Sequence, residues 1–173
     1  MSKKKLKRNI YIYTGEGQGK TTASLGLALR ALGHGKKVVV IQFLKGRKDI
    51  GEYKIQKKLS PKFRIYQFGR KGLVNLKKPS SIDIELAKTG LAFARECLKK
   101  KPDILILDEI NLAAAYGLVG KKEILKVLKK APSKTTLVLT GRYVPKEFVR
   151  LATLVSEIKE IKHHEKCYKG LEY

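Results

Sequence analysis

The run Ile10-Tyr11-Ile12-Tyr13-Thr14-Gly15-Glu16-Gly17-Gln18-Gly19-Lys20-Thr21-Thr22 passes from an apolar strand pattern through a glycine-rich turn into the start of a helix. Each part suits a phosphate. Glycines let consecutive backbone N–H groups curl around anionic oxygens. A helix N-terminus adds unpaired donors and the positive end of its dipole. Lys20 supplies a point charge, and the Thr21 hydroxyl is placed to ligate Mg²⁺. The spacing departs from the usual Gly-x-x-x-x-Gly-Lys-Ser/Thr: Thr14 stands where the first glycine belongs, and Gly15 comes one residue late. A chance glycine-rich turn is the competing reading, but a position between a buried strand and an amphipathic helix is the context this motif requires.

Working outward, strand-length apolar runs alternate with helical patterns. A helix is expected from Lys20 to Leu32 with Leu25, Ala28, Leu29 and Leu32 on one face and Gly33 as its stop. Further strands are expected at 37–43, 63–68, 104–107, 135–140 and 154–161, with helices at 50–59, from Ser80, at 121–129 and at 145–151. Ser80 and Asp83 carry capping-box spacing, ahead of Ile84, Ala87, Leu91, Ala94 and Leu98 on a common stripe. Val38-Val39-Val40-Ile41 and Ile104-Leu105-Ile106-Leu107 are apolar throughout, as strands buried on both faces are. Such alternation predicts crossover units and a mostly parallel sheet of about six strands, in an α/β three-layer sandwich. Ligands of these sheets bind beyond the carboxyl ends of the strands. Residues 14–20, 42–46, 68–72, 108–111 and 140–142 should therefore line one edge. Asp108 and Glu109 end the apolar fourth strand, where buried acids are costly unless paired with a metal or a base. The chain divides into a basic tail, 1–8, and a single domain, 9–173.

Composition narrows the classes. The chain has 173 residues, 43% of them hydrophobic, which excludes a disordered polyelectrolyte. No apolar stretch is long enough to span a bilayer and no export signal is visible, so a cytoplasmic location without membrane contact is expected. Cys97 and Cys167 lack metal-ligand or CxxC spacing, and Cys97 reads as a buried thiol on a helix face. The adjacent His163 and His164 lack a third ligand and read as solvent-facing. Lys and Arg total 39 against 15 Asp and Glu, a net charge of +24 that attracts polyanions. The excess is spread along the chain and dominated by lysine, without the aromatic interleaving of a base-stacking surface. Nucleic acid is thus not an expected partner.

Phosphate loop and acidic strand end together point to a nucleoside triphosphate with Mg²⁺, a metal that Mn²⁺ can replace. They leave open an ATPase or kinase, a nucleic-acid motor, and a group transferase. The motif order resembles one family, the P-loop ATP:corrinoid adenosyltransferases of vitamin B12 synthesis and salvage. The likeness begins at Thr14-Gly15-Glu16-Gly17-Gln18-Gly19-Lys20-Thr21-Thr22. It continues through Gln42-Phe43-Leu44-Lys45-Gly46, Gly51-Glu52, Phe68-Gly69-Arg70, Leu107-Asp108-Glu109-Ile110-Asn111, Leu139-Thr140-Gly141-Arg142, Val155-Ser156-Glu157, Ile161-Lys162-His163 and Gly170-Leu171-Glu172-Tyr173.

The resemblance implies a P-loop NTPase-like, RecA-like fold. It implies transfer of the 5′-deoxyadenosyl group of ATP to the Co(I) of a reduced corrinoid, cobalamin or cobyrinic acid a,c-diamide, with release of triphosphate. It also implies a homodimer and a cellular Co(II) reductant as partner. It assigns Lys20, Thr21 and Glu109 to catalysis, with Gly15, Glu16, Gly17, Gln18, Gly19, Lys20, Thr21, Thr22, Lys45 and Arg142 on ATP. Thr21 and Glu109 fall on the metal, with Asp108 acting through water, and Phe68, Arg70 and Leu73 on the corrinoid. The chain has no Trp, and Leu73 stands where the pattern would place Phe, so the corrin-facing loop carries little aromatic area. The alternative is a small P-loop ATPase or nucleotide-binding regulator, with or without nucleic-acid binding. Outside the motif roles, Gln42 reads as capping backbone groups at a strand end and Asn111 as a helix cap.

Overall fold

The computed structural model describes residues 9–72, 74–163 and 168–171. Leu73, His164, Cys167, Glu172, Tyr173 and the basic tail lie outside the described residues. The elements run β1 (Ile10–Thr14), α1 (Lys20–Gly33), β2 (Val38–Phe43), α2 (Gly51–Leu59), β3 (Phe63–Phe68), α3 (Ser81–Lys99) and β4 (Ile104–Asp108). They continue α4 (Ile110–Ala115), α5 (Lys121–Lys130), β5 (Thr136–Thr140), α6 (Lys146–Val149) and β6 (Leu154–Glu157). The six strands form one sheet in the order β3-β2-β4-β5-β1-β6, with every neighbouring pair parallel.

Alternation along the strands divides the core into two layers. Leu105, Leu107, Ile41, Phe43, Ile10 and Ile12 face α3, α4, α5 and Phe148 of α6. Ile104, Ile106, Val38, Val40, Phe63, Ile65 and Val138 face Ala28 of α1, with Leu25, Leu32, Tyr53 and Leu59 packed at the margin. The chain is thus the expected α/β three-layer sandwich. Cys97 is buried, and burial raises its thiol pKa above the ordinary value.

Four details depart from the sequence pattern. Leu29 is 65% exposed. The buried line of α1 is Lys20, Ser24 and Ala28, because the helix is aimed by the glycine loop that feeds it rather than by its greasiest face. The turn after α1 is made at Gly35, at φ 73°, not at Gly33, which stays helical. A short helix, α4, follows β4 in a segment to which the sequence pattern assigned no element. Finally, β6 stops at Glu157 instead of running to Ile161. There the chain turns beneath the phosphate loop, with Ile158 N donating to Thr14 O at 2.8 Å and Gly17 N donating to Ile158 O at 2.9 Å.

Candidate functional site

The loop after β1 explains its own unusual spacing. Thr14 is the last residue of the buried strand, and its hydroxyl donates to Gly141 O at 3.0 Å, linking the ends of β1 and β5. The left-handed position falls one residue later, at Gly15, φ 100°, where a Cβ would lie 2.3 Å from Ile158 O. The first glycine of the motif is therefore displaced by the need for a hydroxyl at 14 and close packing at 15. The loop ends at Gly19, the N-cap of α1, so the first helical residues are Lys20, Thr21 and Thr22. The Lys20 ammonium donates to the Gly17 carbonyl, folded against the loop it serves. Burial pushes its pKa below the ordinary lysine value.

The four neighbouring strand ends bring up the rest. Asp108, at the tip of β4, is fully buried and accepts four hydrogen bonds. Thr21 Oγ1 (2.9 Å) and Thr140 Oγ1 (2.6 Å) donate to Oδ1. Lys45 Nζ (2.7 Å) and Gln42 Nε2 (3.2 Å) donate to Oδ2. Burial opposes ionisation of this carboxyl, but the Lys45 charge and the donors outweigh it and hold its pKa below the usual range. Lys45 Nζ also donates to Thr21 Oγ1 at 3.0 Å. Burial works against the Lys45 ammonium too, yet Asp108 and Glu109 leave its pKa raised.

Glu109 differs from its neighbour. It is the N-cap of α4 in left-handed backbone, φ 63°, and its N–H donates to Thr140 Oγ1 at 2.9 Å. Its Oε2 is buried without a hydrogen-bond partner. Burial, then the adjacent Asp108 charge, push its pKa above the usual glutamate range. Leu44, Glu109 and Tyr143, three of the four described non-glycine residues with positive φ, all lie in the loops after β2, β4 and β5. Backbone strain of this kind gathers where side chains must be aimed.

Lys20, Thr21, Thr22, Lys45, Glu109 and Arg142 open on one cavity of about 640 Å³, closed on other sides by Leu25, Glu52, Ile55 and Leu171. Gly17, Gln18 and Gly19 line it as well. Glu16 is turned outward onto Arg142, its carboxylate 3.2 Å from the guanidinium. The loop after β3 sits beside the cavity rather than in it. Phe68 packs on Phe93 with ring centroids 5.5 Å apart. Gly69 presses so closely on Leu44 and Lys45 that a Cβ would lie 2.3 Å from their backbone. The Arg70 guanidinium is engaged by Asp83 at 2.8 and 2.9 Å.

Gln42 bonds side chains rather than backbone groups, and Asn111 is not a helix cap. Gln42 is a side-chain bridge, donating to Glu52 as well as Asp108 and accepting from Gln67 at 2.9 Å. Asn111 lies inside α4 and donates to Gly141 O at 3.3 Å, steadying the Arg142 turn. The signal for Gln42 was a polar residue at the end of an apolar strand, read too locally. His163 is exposed and pairs with Glu160 at 3.1 Å.

The model of the family described as ATP:corrinoid adenosyltransferase BtuR/CobO/CobP matches residues 7–173. This chain belongs to that family. It is 34% identical over 155 residues to the corrinoid adenosyltransferase of Escherichia coli K12, covering 89% of this chain and 78% of that protein. It is 31% identical over 169 residues to the corrinoid adenosyltransferase CobA of Salmonella typhimurium LT2, covering 95% and 85%. Among solved structures, the flagellar accessory protein FlaH of Methanocaldococcus jannaschii superposes with a TM-score of 0.58 at 16% identity, over 92% of this chain and 74% of that one. At that identity the likeness concerns the fold alone. The adenosyltransferase fold is the P-loop, RecA-like one expected. As a member of the family the chain is a transferase that moves the adenosyl group of ATP to a corrinoid, and the ATPase or regulator reading is not favoured. Among the described residues no helix is long and apolar enough to cross a membrane.

Proposed function

We propose that the cavity at the strand ends binds ATP as a magnesium complex and presents its C5′ carbon to a Co(I) corrinoid. The observation that carries this reading is Glu109, which lines the same cavity as Lys20, Thr21 and Arg142 and whose Oε2 is buried against the Gly141 turn without a hydrogen-bond partner. A lone carboxylate oxygen there is costly without a cation. Among the described residues no three His, Cys, Asp or Glu side chains converge as a metal cage. That fits Mg²⁺, which is held by one or two carboxylates together with substrate phosphates. Thr21 and Glu109 would hold it, with Asp108 acting through water. Bound there, the metal would neutralise charge on the polyphosphate.

The reaction needs no general base. The Co(I) electron pair forms the bond to C5′, the C5′–O bond breaks, and triphosphate leaves with the electron pair of that C–O bond. What remains for the chain is positioning and stabilising the leaving group. Thr22 and the loop from Gly15 to Gly19, with Glu16 and Gln18 in it, would bind the phosphates, the Gly17 N–H being held by Ile158 O and the Gln18 N–H by Glu160 Oε2 in this structure. Lys20, Lys45 and Arg142 place positive charge where negative charge grows. Phe68 and Arg70, the latter tied to Asp83, would contact the corrinoid, together with Leu73, which lies outside the described residues. Residues 9–173 act as one domain, in a cytoplasmic homodimer supplied with Co(I) corrinoid by a cellular reductant.

Anaerobic incubation with ATP, Mg²⁺ and chemically reduced cobalamin tests this. The expected result is a light-sensitive cobalt–carbon spectrum with one triphosphate released per corrinoid alkylated. Release of ADP and phosphate with no such spectrum would overturn it.

A further inference from the structure

Resting on the metal assignment just given, we infer that Lys45 is a placeholder for the divalent cation: its ammonium occupies the oxygens of Thr21 and Asp108 until a nucleotide draws it onto the phosphates.

The geometry is specific. Lys45 Nζ donates to Thr21 Oγ1 at 3.0 Å and to Asp108 Oδ2 at 2.7 Å. Thr21 Oγ1 spends its proton on Asp108 Oδ1, so the lone pair Lys45 occupies is the one a metal would need. An ammonium and a divalent ion repel strongly at such separations and cannot share these oxygens. The other donors to Asp108 stay put, since Thr140 and Gln42 belong to strands. Among the described residues Lys45 is the one cation on this carboxylate.

The segment is built to let the side chain swing while the main chain stays fixed. Leu44 turns the chain at φ 62°, its N–H donates to Phe68 O at 3.1 Å, and Gly69 wedges against the Leu44–Lys45 backbone. From that anchor the partly buried lysine also lines the cavity with Lys20 and Arg142. Polyphosphate entering there offers a stronger partner, vacating the Thr21 lone pair as the metal arrives. Metal and nucleotide are thereby coupled: each binds poorly alone and well with the other.

Mn²⁺ affinity, read by electron paramagnetic resonance of the free ion, tests this without any corrinoid or turnover. Without nucleotide, K45M and K45Q should bind Mn²⁺ roughly ten-fold or more tighter than the unaltered chain, within the usual range of such couplings. A lysine that only holds the site's shape would give the opposite sign, and one that acts only by its charge at a distance would give a gain that persists with ATP present, where a placeholder's gain disappears. Two substitutions guard against one failing to fold. E109Q, measured with ATP present, separates the two levels. If it weakens Mn²⁺ while K45M and K45Q leave nucleotide-free affinity unchanged or lower, the placeholder is rejected and the metal site stands. Should E109Q and D108N both leave Mn²⁺ affinity with ATP unchanged, the metal site itself is wrong and the placeholder falls with it.

Discussion

Lys20 and Glu109 stand on either side of the same cavity and are expected to fail in different ways. If Lys20 meets the leaving group as proposed, Lys20→Ala should lower the rate of corrinoid alkylation by about a hundred-fold or more, the usual cost of losing one such donor. Single-turnover rates with saturating ATP measure it. Glu109→Gln keeps the shape but removes the anion, so the Mg²⁺ concentration for half-maximal rate should rise roughly ten-fold or more, while the rate at saturating Mg²⁺ falls less. An unchanged Mg²⁺ titration would take Glu109 out of the metal site. At this scale the sequence was most legible where chemistry is local: the glycine turn, Lys20, Thr21 and the acidic pair are all contiguous with their own motif. It was least legible where a side chain's partner lies far along the chain. Gln42 meets Asp108 across 66 positions and Asn111 meets Gly141 across 30, and only the sheet order brings them together. Arg70 was assigned to a ligand, whereas the structure also gives it Asp83.

Among the elements, α3 carries the most explicit start signal. Ser80 Oγ accepts from Asp83 N and Asp83 Oδ2 accepts from Ser80 N, the reciprocal box expected from their spacing. Arg70 grips the same carboxylate, and with Ser80 it holds the Asp83 pKa down to about 2. This folded-state value lies below the unfolded one. The contact therefore stabilises fully above the unfolded pKa and is lost as pH falls from about 4 toward 2. Ser80→Ala should cost about 1 kcal/mol at neutral pH, as removal of an N-cap does. Asp83→Asn should flatten the acid limb of the stability profile in that window; denaturant melts from pH 6 to 2 check both. Capped, long, periodic elements such as α3 could be read directly. The six-residue α4 could not, because Glu109 opens it in left-handed backbone, which no side-chain pattern announces. Leu29 misled for a related reason: helical periodicity locates an apolar stripe, while the orientation of α1 is fixed by the loop feeding it.

For the whole molecule, an all-parallel sheet covered on both faces predicts one cooperative unit, so heat should unfold it in a single transition. Mg²⁺ with ATP at about a hundred times its dissociation constant should add about 2.7 kcal/mol, raising the melting temperature by roughly 5–10 °C. No shift in a calorimetric scan would contradict nucleotide binding by the folded chain. The surplus of +24 charges is distributed over the chain, and only a few of those cations belong to the cavity. Sheet order was the largest feature hidden from the sequence, since apolar strands of similar composition do not declare their neighbours. Its consequence reaches back to the chain's manufacture. β1 is laid down early, yet both of its partners, β5 and β6, are translated late, and the turn at Ile158 supports the glycine loop from below. A ribosome must therefore have exposed residues beyond 158 before the first-made loop can close on a nucleotide. Protease protection by ATP on stalled nascent chains should switch on only when that last segment clears the exit tunnel.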